Sequence, residues 1–217
     1  MEKRNHLYEC TDLGNAQRFV DQHSEYLKAI DGSFGWLSWT GKRWEPVSSA
    51  RAYQAAKQTL ESILCSGDNL SSTELRQQQM WALASQSKAR IQAMLDLVSK
   101  HQDMIVNLSD FDNRTKSINT SSGLYVIGSD RLESHETKPL VTKMTNAAYN
   151  PEATCPRFIR FLDEVFDGDI ELIAWMQRAL GYSLLGNTDE QCLFIAYGTG
   201  ANGKSTLFEI IREILGD

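Results

Sequence analysis

Gly198-Thr199-Gly200-Ala201-Asn202-Gly203-Lys204-Ser205, close to the end of a 217-residue chain, fits G-x-x-x-x-G-K-[ST] position for position. This spacing is that of a phosphate-binding loop. Such a loop turns several backbone N–H groups inward on an anion, and the glycines at 198, 200 and 203 keep Cβ atoms out of the way. In this reading Lys204 reaches the β- and γ-phosphates of a nucleotide, and the Ser205 hydroxyl holds Mg²⁺.

The flanks carry the same pattern outward. Upstream, Cys192-Leu193-Phe194-Ile195-Ala196-Tyr197 is an unbroken apolar run, which predicts a strand buried on both faces of a parallel sheet. Downstream, Leu207, Phe208, Ile210, Ile211, Ile214 and Leu215 recur at helical spacing, and Gly216 stands where a helix stops. Strand, glycine turn and helix follow in the required order, with the positive end of the helix facing the phosphates. Thirteen residues follow Lys204. The acidic group that helps hold Mg²⁺ and the group that positions an attacking water are therefore expected to lie outside these residues.

Composition places the chain among ordinary globular proteins: 41% hydrophobic, 23% charged, net charge −6. No apolar run is long enough to span a bilayer, and Met1-Glu2-Lys3-Arg4-Asn5 leads into no signal-type segment, so no membrane association and a cytoplasmic location are expected. Cys10, Cys65, Cys155 and Cys192 are scattered without a Cys-x-x-Cys pair, and the four histidines keep no ligand spacing to them. Reduced thiols and no zinc site follow. Residues 156–190 hold seven acids against three arginines, which is not a general nucleic-acid footprint.

Toward the N-terminus, Thr11-Asp12 can cap a helix running through Ala16, Phe19 and Val20 to about His23. Gly35 to Pro46 alternates around a Thr40-Gly41 turn signal, as a β-hairpin does. Its tryptophans 36, 39 and 44, with Lys42 and Arg43, have the composition of a single-strand-binding platform. The plainer reading makes the rings a small core with the cations at the tip. Residues 48–66 predict an amphipathic helix with Tyr53, Ala56, Leu60, Ile63 and Leu64 on one face, and Gly67-Asp68-Asn69 breaks it. Ser71-Ser72-Thr73-Glu74 restarts a helix, and Leu75 to Val98 fits two helices or one bent one.

From Asp103 to Pro156 the pattern predicts irregular chain with a small β element near Leu124 to Ile127. Asp110-Phe111-Asp112 is read as a turn or cap in preference to a metal pair. Pro156 opens a helix whose Phe158, Phe161, Leu162, Val165 and Phe166 form an apolar stripe, expected as core. After Gly168-Asp169 a second helix carries Leu172 to Leu184 up to a Gly186-Asn187 stop, completing an αα-hairpin.

Several of these pieces together resemble phage and plasmid primase-helicases, whose motor belongs to helicase superfamily 3. The matching residues are Thr11 to Val20 (TDLGNAQRFV), the Trp36 to Trp44 hairpin, Tyr149 to Phe158 (YNPEATCPRF), Gly168-Asp169, Leu180 to Gly186, and Gly198 to Thr206. One departure stands in the middle, where Ser122-Gly123-Leu124-Tyr125-Val126-Ile127 replaces an Asn-Gly-x-x-Asp-Leu-like stretch.

The resemblance implies an α+β chain: a mainly helical accessory domain with a small β-hairpin over residues 1–187, then the first strand–loop–helix unit of an α/β P-loop ATPase over 188–217. It implies an ATP-driven DNA helicase, hexameric when intact, acting with other replication proteins. ATP and Mg²⁺ would be held by Gly198, Thr199, Gly200, Ala201, Asn202, Gly203, Lys204, Ser205 and Thr206, with Lys204 the catalytic group. The second reading is a non-enzymatic interaction or oligomerisation module in which the loop is vestigial. A small P-loop kinase is not expected, since thirteen residues after Lys204 are too few for an acceptor site.

Overall fold

Thr11 has an extended backbone and its hydroxyl accepts a hydrogen bond from the Gly14 N–H at 3.0 Å, so the chain enters α1 (Asp12–His23) where the sequence predicts. The computed structural model describes residues 8–33, 35–64, 71–113, 116–186, 189–200 and 202–216. The chain divides into two units, Met1–Phe111 and Asp112–Asp217. The architecture is mixed α+β, with seven α-helices and two small sheets among the described residues.

In the first unit, β1 (Leu27–Ile30), β2 (Trp36–Trp39), β3 (Trp44–Val47) and β4 (Ile105–Val106) form one sheet in the order β3-β2-β1-β4. The predicted hairpin is β2–β3, with Trp39 opposite Trp44 and Gly41 at φ 94 in the turn. β1 adds an antiparallel strand on one side of it, and β4 pairs parallel with β1 through Ala29–Ile105 and Ile30–Val106. Neither β1 nor β4 carries a local sequence signal.

Helices α2 (Ser49–Leu64) and α4 (Lys88–Val98) pack with α1 over this sheet. Ala52, Ala55 and Ala56 are fully buried, and such small side chains let helix backbones come close. Leu60, Ile63, Ile91, Met94 and Val98 fill the space beside Phe19, Val20, Leu27 and Trp36. Leu64, expected on the buried face of α2, is 40% exposed. It follows Ile63 directly and so lies about a quarter turn off the apolar stripe. The break at Gly67-Asp68-Asn69 lies outside the described residues.

Residues 75–98 form two helices, not one bent helix. α3 (Ser72–Ser85) starts at a capping box between Ser71 and Glu74, and Ser87 caps α4 by accepting from Arg90 N. Helix α3 has only Gln78, Ala82 and Ser85 buried, so polar contacts dock it. The buried Asn15 carboxamide accepts from Trp81 Nε1 at 3.0 Å and donates to Ser85 Oγ at 3.0 Å. Its neighbour Gly14 has no alternative, because a Cβ there would lie 2.1 Å from the Glu9 carbonyl oxygen. The segment before α1 folds back over the helix, and the Arg18 guanidinium rests 4.7 Å from the Tyr8 ring.

In the second unit, β5 (Ser117–Thr120), β6 (Gly123–Val126) and β7 (Arg131–Glu133) make an antiparallel meander, the expected small β element. Helices α5 (Pro156–Val165) and α6 (Ile170–Leu184) form the predicted αα-hairpin, with Asp169 capping α6 through Leu172 N at 3.0 Å. The aromatic stripe of α5 is not core. Phe158, Phe161, Leu162, Val165 and Phe166 are only half-buried, since among the described residues no element covers that side of the helix completely. Helix α7 (Lys204–Leu215) ends at Gly216, φ 85, as the sequence predicts.

A second expectation is overturned in this unit. Cys192 to Tyr197 forms no strand, and Leu193, Ile195 and Tyr197 are 83%, 76% and 91% exposed. A parallel strand needs neighbours to take its backbone hydrogen bonds. Among the described residues none lies beside it.

Two outcomes follow for the first unit. Asn15→Ala leaves the Trp81 indole N–H and the Ser85 hydroxyl without their partner, and is expected to lower stability by about 1–3 kcal/mol in urea denaturation. The second concerns His23, which is buried between Tyr26 and Thr59. Thr59 Oγ1 donates to the Ala55 carbonyl, so it can accept from His23 Nε2 while Nδ1 accepts from the Tyr26 hydroxyl. Burial pushes the imidazole below its usual pKa, Arg51 acts the same way, and the Ala55 carbonyl opposes them. A depressed folded-state pKa means that the unfolded chain takes up the proton first. Stability is therefore fully present above roughly pH 6.5 and declines as pH falls below it. Melting temperatures at pH 7.5 and 5.5 should differ in that sense, and less in His23→Gln.

Candidate functional site

The Gly198–Ser205 loop joins an extended apolar segment to the first turn of α7. It is described except at Ala201, which lies outside the described residues. Two glycines set its course. Gly198 has φ 152 and Gly203 has φ 77, both in the region that L side chains avoid. Gly203 is also the N-cap of α7 and supplies no side chain to that helix end. The first N–H groups of any helix lack intrahelical partners. Here those groups belong to Lys204, Ser205 and Thr206, with the Ser205 and Thr206 side chains exposed.

Lys204 turns back into the loop. Its ammonium donates to Asn202 Oδ1 at 2.7 Å, the Gly198 carbonyl at 3.0 Å and the Thr199 carbonyl at 3.4 Å. The loop thus closes around a cation with three oxygen acceptors from its own chain. The Asn202 carboxamide lies across Gly198, where a Cβ would come within 2.1 Å of Asn202 Nδ2. Sequence reasoning names Asn202 as a loop residue but does not foresee this contact, because G-x-x-x-x-G-K-[ST] leaves that position unspecified.

The junction with α7 rests on α5. A Cβ at Gly203 would lie 2.6 Å from Val165 Cγ2 and 3.2 Å from the Phe161 ring, so the half-buried stripe of α5 forms the floor beneath this turn. Leu207 is the buried anchor of α7. At the far end Asn146 holds the helix, donating through its backbone N–H to the Ile214 carbonyl at 3.0 Å and through Nδ2 to the Glu213 carbonyl at 3.1 Å. Before the loop, the Phe194 ring meets Trp175 of α6 edge-on at 5.6 Å, and Glu190 N–H donates to the Tyr182 hydroxyl at 3.0 Å.

Other sequence candidates resolve into architecture. Trp36 and Trp44 are 7% and 1% exposed, so they serve the packing of the hairpin and offer no stacking platform. Arg43 Nε pairs with Glu45 at 2.8 Å. Asp110 accepts from the Asn107 N–H and caps a short 3₁₀ turn, and Asp112 accepts from the backbone of Thr142 and Lys143 and from the Thr142 hydroxyl. Both are the expected turn or cap residues. Among the described residues no three His, Cys, Asp or Glu side chains gather as a metal site. Cys10, Cys155 and Cys192 are free, and no described helix is long and apolar enough to cross a membrane.

Comparison with known proteins adds a family. Residues 16–167 match the family model described as D5 N terminal like, which covers more than two thirds of the chain and stops short of the glycine loop. No curated protein matches the chain.

Gly203→Ala should place a strained residue at φ 77 and push a methyl into Val165. Faster amide exchange across Leu207 to Ile211, with the first unit unchanged, is the expected result.

Proposed function

The chain belongs to the D5 N-terminal-like family, found in phage and plasmid primase-helicase proteins, and we propose that it is the accessory region of a replicative DNA helicase joined to the first ATP-binding element of the motor. The accessory part takes in residues 1–187 and the motor element 188–217. In this reading a hexameric ring of such chains acts on DNA together with other replication proteins.

The observation that carries the nucleotide reading is the position of Lys204. Its ammonium lies inside a turn built on positive-φ glycines, at the first residue of a helix whose N-cap has no side chain. That donor set fits a triphosphate: backbone N–H groups at a helix start, a lysine, and the hydroxyls of Ser205 and Thr206. Gly198, Thr199, Gly200, Ala201, Asn202, Gly203, Lys204, Ser205 and Thr206 would hold ATP, Asn202 through its backbone N–H, with Ser205 on Mg²⁺. Mg-ATP supplies the phosphoanhydride whose hydrolysis drives strand separation.

A second reading draws on the exposed run Leu193 to Tyr197, which favours an interaction or oligomerisation module with a vestigial loop. Calorimetric titration with Mg-ATP separates the two. Under the first reading the 217-residue protein binds Mg-ATP, and Lys204→Ala weakens binding at least about tenfold, in line with loss of a charge-assisted contact. Absence of binding, together with concentration-dependent self-association in sedimentation, would favour the second.

A further inference from the structure

We propose that Asn202 is an affinity-determining residue of the glycine loop: its carboxamide oxygen takes the Lys204 ammonium in the nucleotide-free state and must be exchanged for a phosphate oxygen when a polyphosphate enters. The proposal rests on the nucleotide-binding reading of this loop.

Three observations lead to it. An ammonium has three donors, and Lys204 meets three acceptors, so its hydrogen-bonding capacity is filled from within the loop. Of these contacts the one to Asn202, at 2.7 Å, is the shortest and the only one made by a side chain. Lastly, the carboxamide lies across Gly198 in space that any Cβ at that position would take. Gly198 is thus needed for the closed form of the loop as well as for its backbone course.

A phosphate oxygen is a stronger acceptor for an ammonium than a neutral amide oxygen, because both partners are charged. The exchange therefore favours the anion, but its net gain is reduced by the contact that is given up. Asn202 acts through Lys204 as a positioning residue and an internal competitor. It keeps the lysine folded inward and lowers the affinity for short anions that engage Lys204 alone. A triphosphate that also reaches the helix N-terminus gains enough to displace it.

The sign of the effect distinguishes this role from direct contact with the nucleotide. Asn202→Ala removes the competitor and should tighten binding of Mg-ATP and of inorganic tripolyphosphate by about three- to tenfold, the range of one typical net hydrogen bond, because solvent takes over part of the freed contact. Asn202→Asp sets a carboxylate against Lys204 and should weaken both, with a loss that shrinks as salt rises. In the Lys204→Ala background neither substitution should matter. Asn202→Ser, whose side chain is too short for the contact, repeats the test if the alanine form folds poorly. Calorimetry on all forms, with circular dichroism to verify folding, decides the matter. Tighter binding by the alanine or serine form together with weaker binding by the aspartate form supports the proposal. Wild-type binding that is unchanged or weakened by Asn202→Ala and Asn202→Ser overturns this inference alone, and failure of the wild type to bind either ligand overturns it together with the nucleotide reading.

Discussion

A carboxamide can be buried only if both of its ends are met, and the way Asn15 meets this condition decides how the first unit is assembled. Its oxygen takes the Trp81 indole N–H and its nitrogen gives to Ser85, so a single side chain on α1 fixes the position of a helix that has almost no apolar face of its own. Hydrophobic burial alone would leave α3 free to slide. The surrounding core of Phe19, Leu60, Ile63, Met94 and Val98 supplies the driving force, and the polar bridge supplies the register. Gly14, Asn15, Ala16, Arg18 and Phe19 each have a separate task in this arrangement: close approach, bridge, packing, stacking on Tyr8, and core.

The same requirement explains which elements were legible in the sequence. Helices satisfy their backbone groups internally, so local periodicity and caps are enough to place α1, α2, the start of α3 and α5 through α7 within a residue or two, while the break between α3 and α4 stayed open. The tryptophan hairpin is equally local, its strands separated by a four-residue turn from Thr40 to Arg43. β1 and β4 were not legible. Leu27-Lys28-Ala29-Ile30 is short and ambiguous, and the two-residue β4 exists only by pairing with a strand far away in the chain. The apolar stripe of α5 was legible as a face but not in its depth of burial, because periodicity reports direction and says nothing about what covers it.

Within the candidate site the glycine loop and the helix after it were visible because their residue types are forced: positive φ at 198 and 203, and a helix start at Lys204. The contact from Lys204 to Asn202 was not, since a carboxamide at an unspecified position has many possible partners. Likewise nothing in the pattern announced that Phe161 and Val165 would lie under Gly203, a packing relation between residues some forty positions apart. Motif matching finds groups that chemistry requires and misses those that merely hold them.

Strand and helix on either side of the loop also respond differently to the same rule. Helix α7 forms because its hydrogen bonds close within the segment, and Leu207 anchors it. Cys192 to Tyr197 has a composition that suits a buried strand, yet its hydrogen bonds must come from other strands, and without them the side chains of Leu193, Ile195 and Tyr197 stay in water. The loop between them meets its needs from its own atoms, with Lys204 folded onto carbonyls and a carboxamide. Under the proposed nucleotide reading, a polyphosphate would replace those acceptors. Closure of the loop is separate from the state of the apolar run, because these Lys204 contacts involve no residue between Cys192 and Tyr197.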